Sequence, residues 1–544
     1  MPTKADGIGS GLEMSGPSNG SRDHGWTELA AFTDPVPRLV KAVAHSIQNE
    51  QAFTDQRRSW STWGGVDHDV EITSLALSQH GVNKGDIVSV QLPNWRETVT
   101  VMLAIWRLGA IVNPITPIYR AGELRSIFRM ARPTHVLCPT VYGGIDYAAM
   151  TRQALLEEGL DSSVITVSQV PPSKSCLSPS SGATRELPPL ESLRAEDVCL
   201  LMFTSGTTGK PKGVLHNHQT LLYETWSIIN HFQLSRPRVF MPSPMTHITG
   251  LLYGILLPIL SNGSSVLQDR WNPTEAVQLI EEENCNFSVG ATPFLSGLVK
   301  EYESIGQTSS LTNFVCGGAD VPPALISDAQ ETMGTTAVRA YGLTELPTLT
   351  CGQPNDSLKL RCSDDGIVIG NSQARLSNLM GNVGDLEVRG PEMFLGYLDP
   401  SDNDESFTND GWFRTGDIAH LEGDRVEIVG RRKDIIVRGG ENLSPIEIEN
   451  LLLGLSSVTD IAIVGVPDDQ LGERACAMIV PFGDPPTLED LRKFLDTKNV
   501  ARQKAPEHLL LCNELDRTAS GKIQKFRLRQ SAIERLNAGE GESR

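Results

Sequence analysis

The chain has 544 residues, of which 39% are apolar and 21% charged, with a formal net charge of −19 and a pI near 5.1. Such a length buries large cores and divides into more than one domain, and the acidic balance excludes a protein whose main work is wrapping nucleic acid or lying on anionic lipid. Nine cysteines without CxxC or Cys/His ligand spacing point to a reducing compartment, the cytoplasm, and offer no metal site.

In chain order, residues 1–25 have neither the apolar core of a signal peptide nor the Arg-rich pattern of a transit peptide, and read as a disordered leader. "GDIVSVQLPN" (Gly85 to Asn94) and "THVLCP" (Thr134 to Pro139) predict strands, and "TVTVMLAIWRLG" between them predicts a helix. The Pro- and Ser-rich stretch 171–189 predicts a surface connection. Beyond it "CLLMFT", "RVFMPSP", "SVLQD", "FSVGATP", "NFVCGGA" and "VRAYG" alternate with helical segments such as "TEAVQLIEEE" and "PPALISDAQETM". That alternation predicts an α/β fold of parallel sheets covered by helices on both faces. The longest apolar run, "LLYGILLPIL" from Leu251, is about half the ~20 residues of a membrane span, so no integral membrane segment is expected. From Gly384, "GDLEVRG" and "GWFRTGDIAHLEGDRVEIVGR" predict hairpins of a smaller β subdomain, and the remainder has strands and helices of its own. The expected division is a leader (1–25), a large N-terminal domain (26–430) and a small, mobile α+β C-terminal domain (431–544).

One stretch asks for a ligand. "FTSGTTGKPKG", from Phe203 to Gly213, is expected to follow a buried strand and precede a helix, at the carboxyl end of a parallel strand where open α/β sheets bind ligands. Gly206, Gly209 and Gly213 permit close backbone approach, Thr204, Ser205, Thr207 and Thr208 donate hydroxyls, and Lys210 and Lys212 supply charge, which together suit phosphate. A flexible connector is the plain alternative. A Walker loop is not, because Lys210 is followed by Pro211 and not by the Ser or Thr that magnesium requires.

The same string resembles the phosphate loop of adenylate-forming enzymes, the superfamily of acyl-CoA synthetases, peptide-synthetase adenylation domains and luciferases. "AYGLTE" (Ala340 to Glu345), "GWFRTGDIA" (Gly411 to Ala419), "GRRKDIIVRGGENLSPIEIE" (Gly430 to Glu449) and "RTASGKIQK" (Arg517 to Lys525) resemble its later motifs in order, over residues 80 to 530. The wording is nearest to CoA ligases for cyclohexanecarboxylate-like and carnitine-like acids. The resemblance implies an ATP-dependent carboxylate-CoA ligase using Mg2+: a carboxylate attacks the α-phosphate of ATP, and the acyl group then passes to CoA. Two anions must meet in the first step, so the protein has to supply positive charge and fixed geometry.

Residue by residue, the resemblance assigns Thr204, Ser205, Gly206, Thr207, Thr208, Gly209 and Lys212 to the phosphates. Tyr341 and Gly342 fall to adenine beside Gly318 and Ala319, Thr344 to the α-phosphate, and Glu345 to magnesium. Asp417 would accept both ribose hydroxyls. Arg431 would be a second ribose contact, with the doublet Arg431-Arg432 leaving open which arginine serves. Lys522 would be the catalytic lysine, Lys433 the hinge, and Gly439 and Gly440 the border of the pantetheine tunnel. "SPMTHITG" (Ser243 to Gly250), centred on His247, resembles the acyl-pocket motif. No acid occurs in "PMTHITGLLYG", where amino-acid adenylating domains place an aspartate, so the substrate is expected to lack an α-amino group. Ala291 and Gly342 would line the same cavity and Tyr253 and Phe294 close it, which implies an apolar acid, medium in length or cyclic.

No carrier-domain serine motif follows the lysine motif, so CoA is the expected acceptor, and a stand-alone ligase that loads a separate carrier protein is the alternative. A homodimer is left open. A catalytically dead, regulatory relative is disfavoured because Lys522, Thr344, Glu345 and Asp417 are all present. Residues 59–72 and 352–383 depart from the family's pattern.

Overall fold

The computed structural model describes residues 27–543 except 172, 181–185, 205–210, 319–320, 440, 499 and 518–522; the leader lies outside the described residues. Its central feature is a run of parallel strands, Ser264–Leu267, Arg238–Met241, Phe287–Gly290, Asn313–Gly317 and Thr336–Tyr341, each hydrogen-bonded to the next. Their residues are almost all buried, as a sheet covered on both faces demands. Helix Pro273–Glu282 starts where Asn272 accepts the Glu275 N–H at 3.0 Å, and helix Thr292–Ile305 ends at Gly306, whose φ of 64° is cheap only for glycine.

A second sheet follows the order Gly396–Tyr397, Lys212–Asn217, Val198–Thr204, Ile111–Pro114, Ile87–Val90, His135–Cys138, Ser163–Thr166. Helix Arg96–Arg107 is buried on every residue, and Trp106 donates its indole N–H to the Cys199 carbonyl at 2.8 Å. An all-round buried helix is what a position inside the domain, between layers, produces. No helix among the described residues is long and apolar enough to cross a membrane.

The mixed α/β class and the larger and smaller parts agree with the expectation, and two details do not. The Gly/Thr-rich loop is not a strand-to-helix turn. Strand Lys212–Asn217 runs antiparallel to Val198–Thr204, so the stretch is followed by a second strand, and helix His218–Phe232 starts only afterwards. "KGVLHN" has too short an alternation to announce a strand; its pairing with Gly396–Tyr397 on the other side is a tertiary contact. The hairpins Gln373–Met380, Val383–Arg389, Phe413–Glu422 and Arg425–Arg431 do not form a sheet apart. They continue the large one through Thr350–Cys351 and Ile367–Val368, giving thirteen strands among the described residues. The unusual segment 59–72 is a short edge strand, Trp60–Thr62, followed by helix Trp63–Gln79, which the Thr62 hydroxyl caps by accepting the Gly65 N–H at 3.1 Å.

The last part has a sheet built on the long antiparallel pair Val458–Asp468 and Gly472–Pro481. Its two faces are apolar. Ile448, Ile463, Leu491 and Leu509 form one core and Val464, Met478, Leu510 and Leu528 another.

Candidate active site

The carboxyl ends of three adjacent parallel strands, Phe287–Gly290, Asn313–Gly317 and Thr336–Tyr341, open on a cavity of about 630 Å³. Open α/β sheets bind ligands at such ends. The cavity has two chemically different limbs.

The apolar limb is walled by Val289, Gly290, Val315, Ala340 and Pro347 with Ile248 and Tyr253 from across. Gly342 has to be glycine: a Cβ there would sit 1.8 Å from the Pro347 carbonyl oxygen. Facing the strand ends, His247 lies on a turn that Asn94 holds in place, its amide donating to the Ser243 carbonyl at 2.8 Å and accepting the Met245 N–H at 2.7 Å. The chain then enters a π-helical turn, Gly250–Leu256, which carries Tyr253.

The polar limb is organised by buried charge. Asp417 is 3% exposed; it receives the Tyr341 hydroxyl on one oxygen and lies 3.2 Å from the Arg431 Nε on the other. Residues 417 and 431 are direct partners across the hairpin, so strand register delivers the pair. Burial and the Asp417 charge push the Tyr341 phenol well above its usual range, which keeps its proton for this hydrogen bond. The neighbouring Arg432 turns outward, its Nε 2.7 Å from Asp385. Of the doublet, Arg431 lines the cavity.

Glu345 is buried and accepts the Tyr397 hydroxyl at 2.7 Å; burial raises its pKa. The Lys212 ammonium lies 4.6 Å from the Tyr397 ring centroid and 3.6 Å from Asp402, so it is held beside Glu345 without pairing with it. The Thr344 carbonyl is 2.8 Å from the Nε2 of His216, a fully buried imidazole whose pKa burial lowers to about 4. A neutral ring facing a carbonyl must carry its proton on Nε2, so Nδ1 accepts from the Thr220 hydroxyl 3.0 Å away. Lys433 also lines this limb, and burial lowers its pKa. From the C-terminal part, Ile523, Gln524, Lys525 and Phe526 complete the wall, and Lys525 is fixed 2.7 Å from Glu449.

Of the residues singled out in the sequence, Thr204, Lys212, His247, Tyr253, Gly318, Tyr341, Gly342, Thr344, Glu345, Arg431 and Lys433 line this one cavity. Asp417 stands immediately behind Tyr341. Two further residues expected at the acyl pocket lie directly after Gly290, at the start of helix Thr292–Ile305. Ala291 is the buried N-cap of helix Thr292–Ile305, and the helix turns Phe294 edge-on to Trp271, with ring centroids 4.9 Å apart. Gly439, with φ of 57°, makes the turn after Ile436–Arg438 and donates its N–H to the Leu471 carbonyl at 2.7 Å. Ser205, Gly206, Thr207, Thr208, Gly209, Lys210, Ala319, Gly440 and Lys522 lie outside the described residues. Sequence reasoning missed Tyr397, His216, Asn94, Thr348 and Glu224, whose partners are far away along the chain. No group of three or more His, Cys, Asp or Glu side chains that could hold a metal ion occurs among the described residues. Glu345 therefore suits a cation only in company with phosphate oxygens, as Mg2+ is commonly bound.

Residues 40–398 match the family model described as AMP-binding enzyme, and residues 447–522 match the AMP-binding enzyme C-terminal domain. The chain is 32% identical over 513 residues to the medium-chain fatty-acid–CoA ligase of Escherichia coli (strain K12), covering 91% of this chain and 89% of that protein. It is 30% identical over 531 residues to the 2,3-dihydroxybenzoate-AMP ligase of Bacillus subtilis (strain 168), covering 92% and 94%. Among solved structures, an anthranilate CoA ligase in complex with anthranoyl-AMP superimposes with a TM-score of 0.81 at 22% identity, covering 93% of this chain and 98% of that one; a likeness at that identity speaks to the fold alone.

The contact at Gly342 generates a first prediction. Gly342→Ala is expected to lower the melting temperature by several degrees and to cut adenylate formation with every acid alike, because the strand end and the Pro347 turn must part to admit the methyl. Thermal unfolding followed by circular dichroism checks it, and an unchanged melting curve would contradict the close approach.

Proposed function

This chain belongs to the AMP-binding enzyme family of the adenylate-forming superfamily, and on that premise we propose that it joins an apolar carboxylic acid, medium in chain length or cyclic and without an α-amino group, to coenzyme A with conversion of ATP to AMP and pyrophosphate. One observation carries the reading: a single cavity joins an apolar limb at the strand ends to a polar limb holding Lys212 and Arg431. An acyl chain suits the first and a nucleotide triphosphate the second, and Thr344 lines the same cavity.

In the first step a carboxylate oxygen of the acid bonds to the α-phosphorus while the bond to the bridging oxygen of the β-phosphate breaks, releasing pyrophosphate. Tyr341 offers its ring to adenine, since its hydroxyl is already held by Asp417. Arg431 holds the ribose side, and Lys212 with the Gly/Thr-rich loop faces the leaving phosphates. Glu345 is the residue that would hold Mg2+, which when bound neutralises phosphate charge. In the second step the thiol of CoA, having lost its proton, attacks the acyl carbonyl and AMP leaves. Relatives named for medium-chain acids support an apolar substrate, and the 2,3-dihydroxybenzoate-AMP ligase supports room for a ring. All nine cysteines are free, which suits the cytoplasm. The deciding experiment is ATP-dependent pyrophosphate release over a panel of straight-chain, cyclic and amino acids, with and without CoA. Turnover confined to amino acids, or thioester formed only on a carrier protein, would sink the proposal.

Lys522 is assigned to the first step, where its ammonium meets the charge developing at the α-phosphate. Lys522→Ala is expected to lose adenylate formation about 100-fold or more, on the scale of a lost transition-state charge contact, while still converting synthetic acyl-adenylate and CoA to thioester. Equal loss in both half-reactions would refute the assignment.

Lysine and thiol must reach the same reacting centre in turn, so the part after Arg431 is proposed to rotate about Lys433, between the last hairpin strand and the strand Ile436–Arg438. Proline at 433 fixes φ and removes an N–H donor. Lys433→Pro is expected to retain adenylate formation and lose thioester formation; intact thioester formation places the pivot elsewhere.

A further inference from the structure

Behind the apolar limb lies a buried carboxyl that neither step uses. Glu224, on helix His218–Phe232, is 0% exposed, and its Oε1 accepts the Tyr253 hydroxyl at 2.5 Å. The same hydroxyl is 2.6 Å from the Thr348 Oγ1. A phenol has one proton: it goes to the carboxyl, and the Thr348 hydroxyl donates to the phenol oxygen. The polar tip of Tyr253 is thus engaged by Glu224 and Thr348, and Tyr253 lines the cavity.

The backbone beneath the ring cannot adapt. Tyr253 sits in the π-helical turn between Gly250, where a Cβ would lie 2.1 Å from the Pro244 carbonyl oxygen, and Gly254, where one would lie 2.8 Å from the Met241 side chain. With the main chain fixed by such close packing, the anchor on the hydroxyl decides where the ring lies. Packing alone does not account for the carboxyl, since an apolar residue of similar volume would fill the space without the desolvation cost. That cost is visible: burial pushes Glu224 up to about 7, and a second buried carboxyl, Glu392, is driven well above its usual range by burial and by Glu224.

We propose that Glu224 is a specificity-determining positioning residue of the acyl pocket: by holding the Tyr253 hydroxyl together with Thr348 it fixes the ring as the wall that limits the length of the acid accepted. The inference rests on the reading that the apolar limb takes the acyl group. Freed of its anchor, the ring can leave the wall and the pocket deepens. An amide at 224 still offers an oxygen to the same phenol, so a glutamine preserves the wall.

The test measures pyrophosphate release over straight-chain acids of increasing length, at saturating ATP, for the parent, Glu224→Ala, Glu224→Gln and Tyr253→Phe. In Glu224→Ala and Tyr253→Phe the preferred acid is expected to become longer by about two carbons. KM for the parent's best acid should rise about tenfold, the scale of one or two methylenes in an apolar pocket, with KM for ATP within about twofold. Glu224→Gln should restore the parent's ranking. An unchanged ranking in the alanine and phenylalanine variants, or a uniform loss over all acids that glutamine does not rescue, would overturn the proposal while leaving the ligase reading intact. A parent inert toward every acid would overturn that reading and this one with it. Should Glu224→Ala fail to fold, Tyr253→Phe against Glu224→Gln makes the same comparison.

Discussion

The structure depends most on one buried carboxylate. Asp417 binds Tyr341, the last residue of the last parallel strand, and Arg431, the last residue of the last hairpin strand. Five residues beyond Arg431 the strands of the C-terminal sheet begin. A single charge therefore ties together the catalytic end of the parallel sheet, the hairpins and the exit toward the C-terminal part. Such a charge tolerates little. Removing the Tyr341 hydroxyl or the Arg431 guanidinium leaves the buried Asp417 carboxylate with one partner fewer, which destabilises the tie.

The tie also sorts the chemistry. With its hydroxyl committed to Asp417, Tyr341 has only its ring to offer. Glu345, similarly, has one oxygen committed to Tyr397, which in turn lies beside Lys212. Both limbs of the cavity follow one pattern, in which a tyrosine hydroxyl is anchored on a buried acid and the ring does the contacting: Tyr341 on Asp417, Tyr253 on Glu224. An anchored ring makes a stiff wall with few free torsions, and stiffness is what a reaction needing in-line geometry between two anions requires.

Much of the architecture was legible because it is local. Alternating apolar runs and helical segments predicted the parallel sheet, and the hairpins after Gly384 lie where turn residues put them. Where the sequence misled, a long-range contact had decided. The strand Lys212–Asn217 pairs along its length with Val198–Thr204 and, on its other side, with Gly396–Tyr397, nearly two hundred residues on, and nothing in six residues announces that second partner. The contact of the Phe294 ring with Trp271 was equally hidden along the chain. The doublet Arg431-Arg432 is undecidable along the chain. Strand alternation sends one side chain inward to Asp417 and the next outward to Asp385, and only the register says which.

What the sequence by itself determined was the class of fold and, through a set of motifs standing in one order along the chain, the family. Only the tertiary structure decided which side chains meet. Tyr397 reaches Glu345, His216 reaches Thr344, Asn94 reaches Ser243, and Glu224 reaches Tyr253, each across at least 29 residues of chain. The reason is physical. Composition and periodicity record what a residue prefers within a few neighbours, whereas the position of a buried hydroxyl or carboxyl is set by the partner that repays its desolvation, and that partner is found only when the chain has closed on itself.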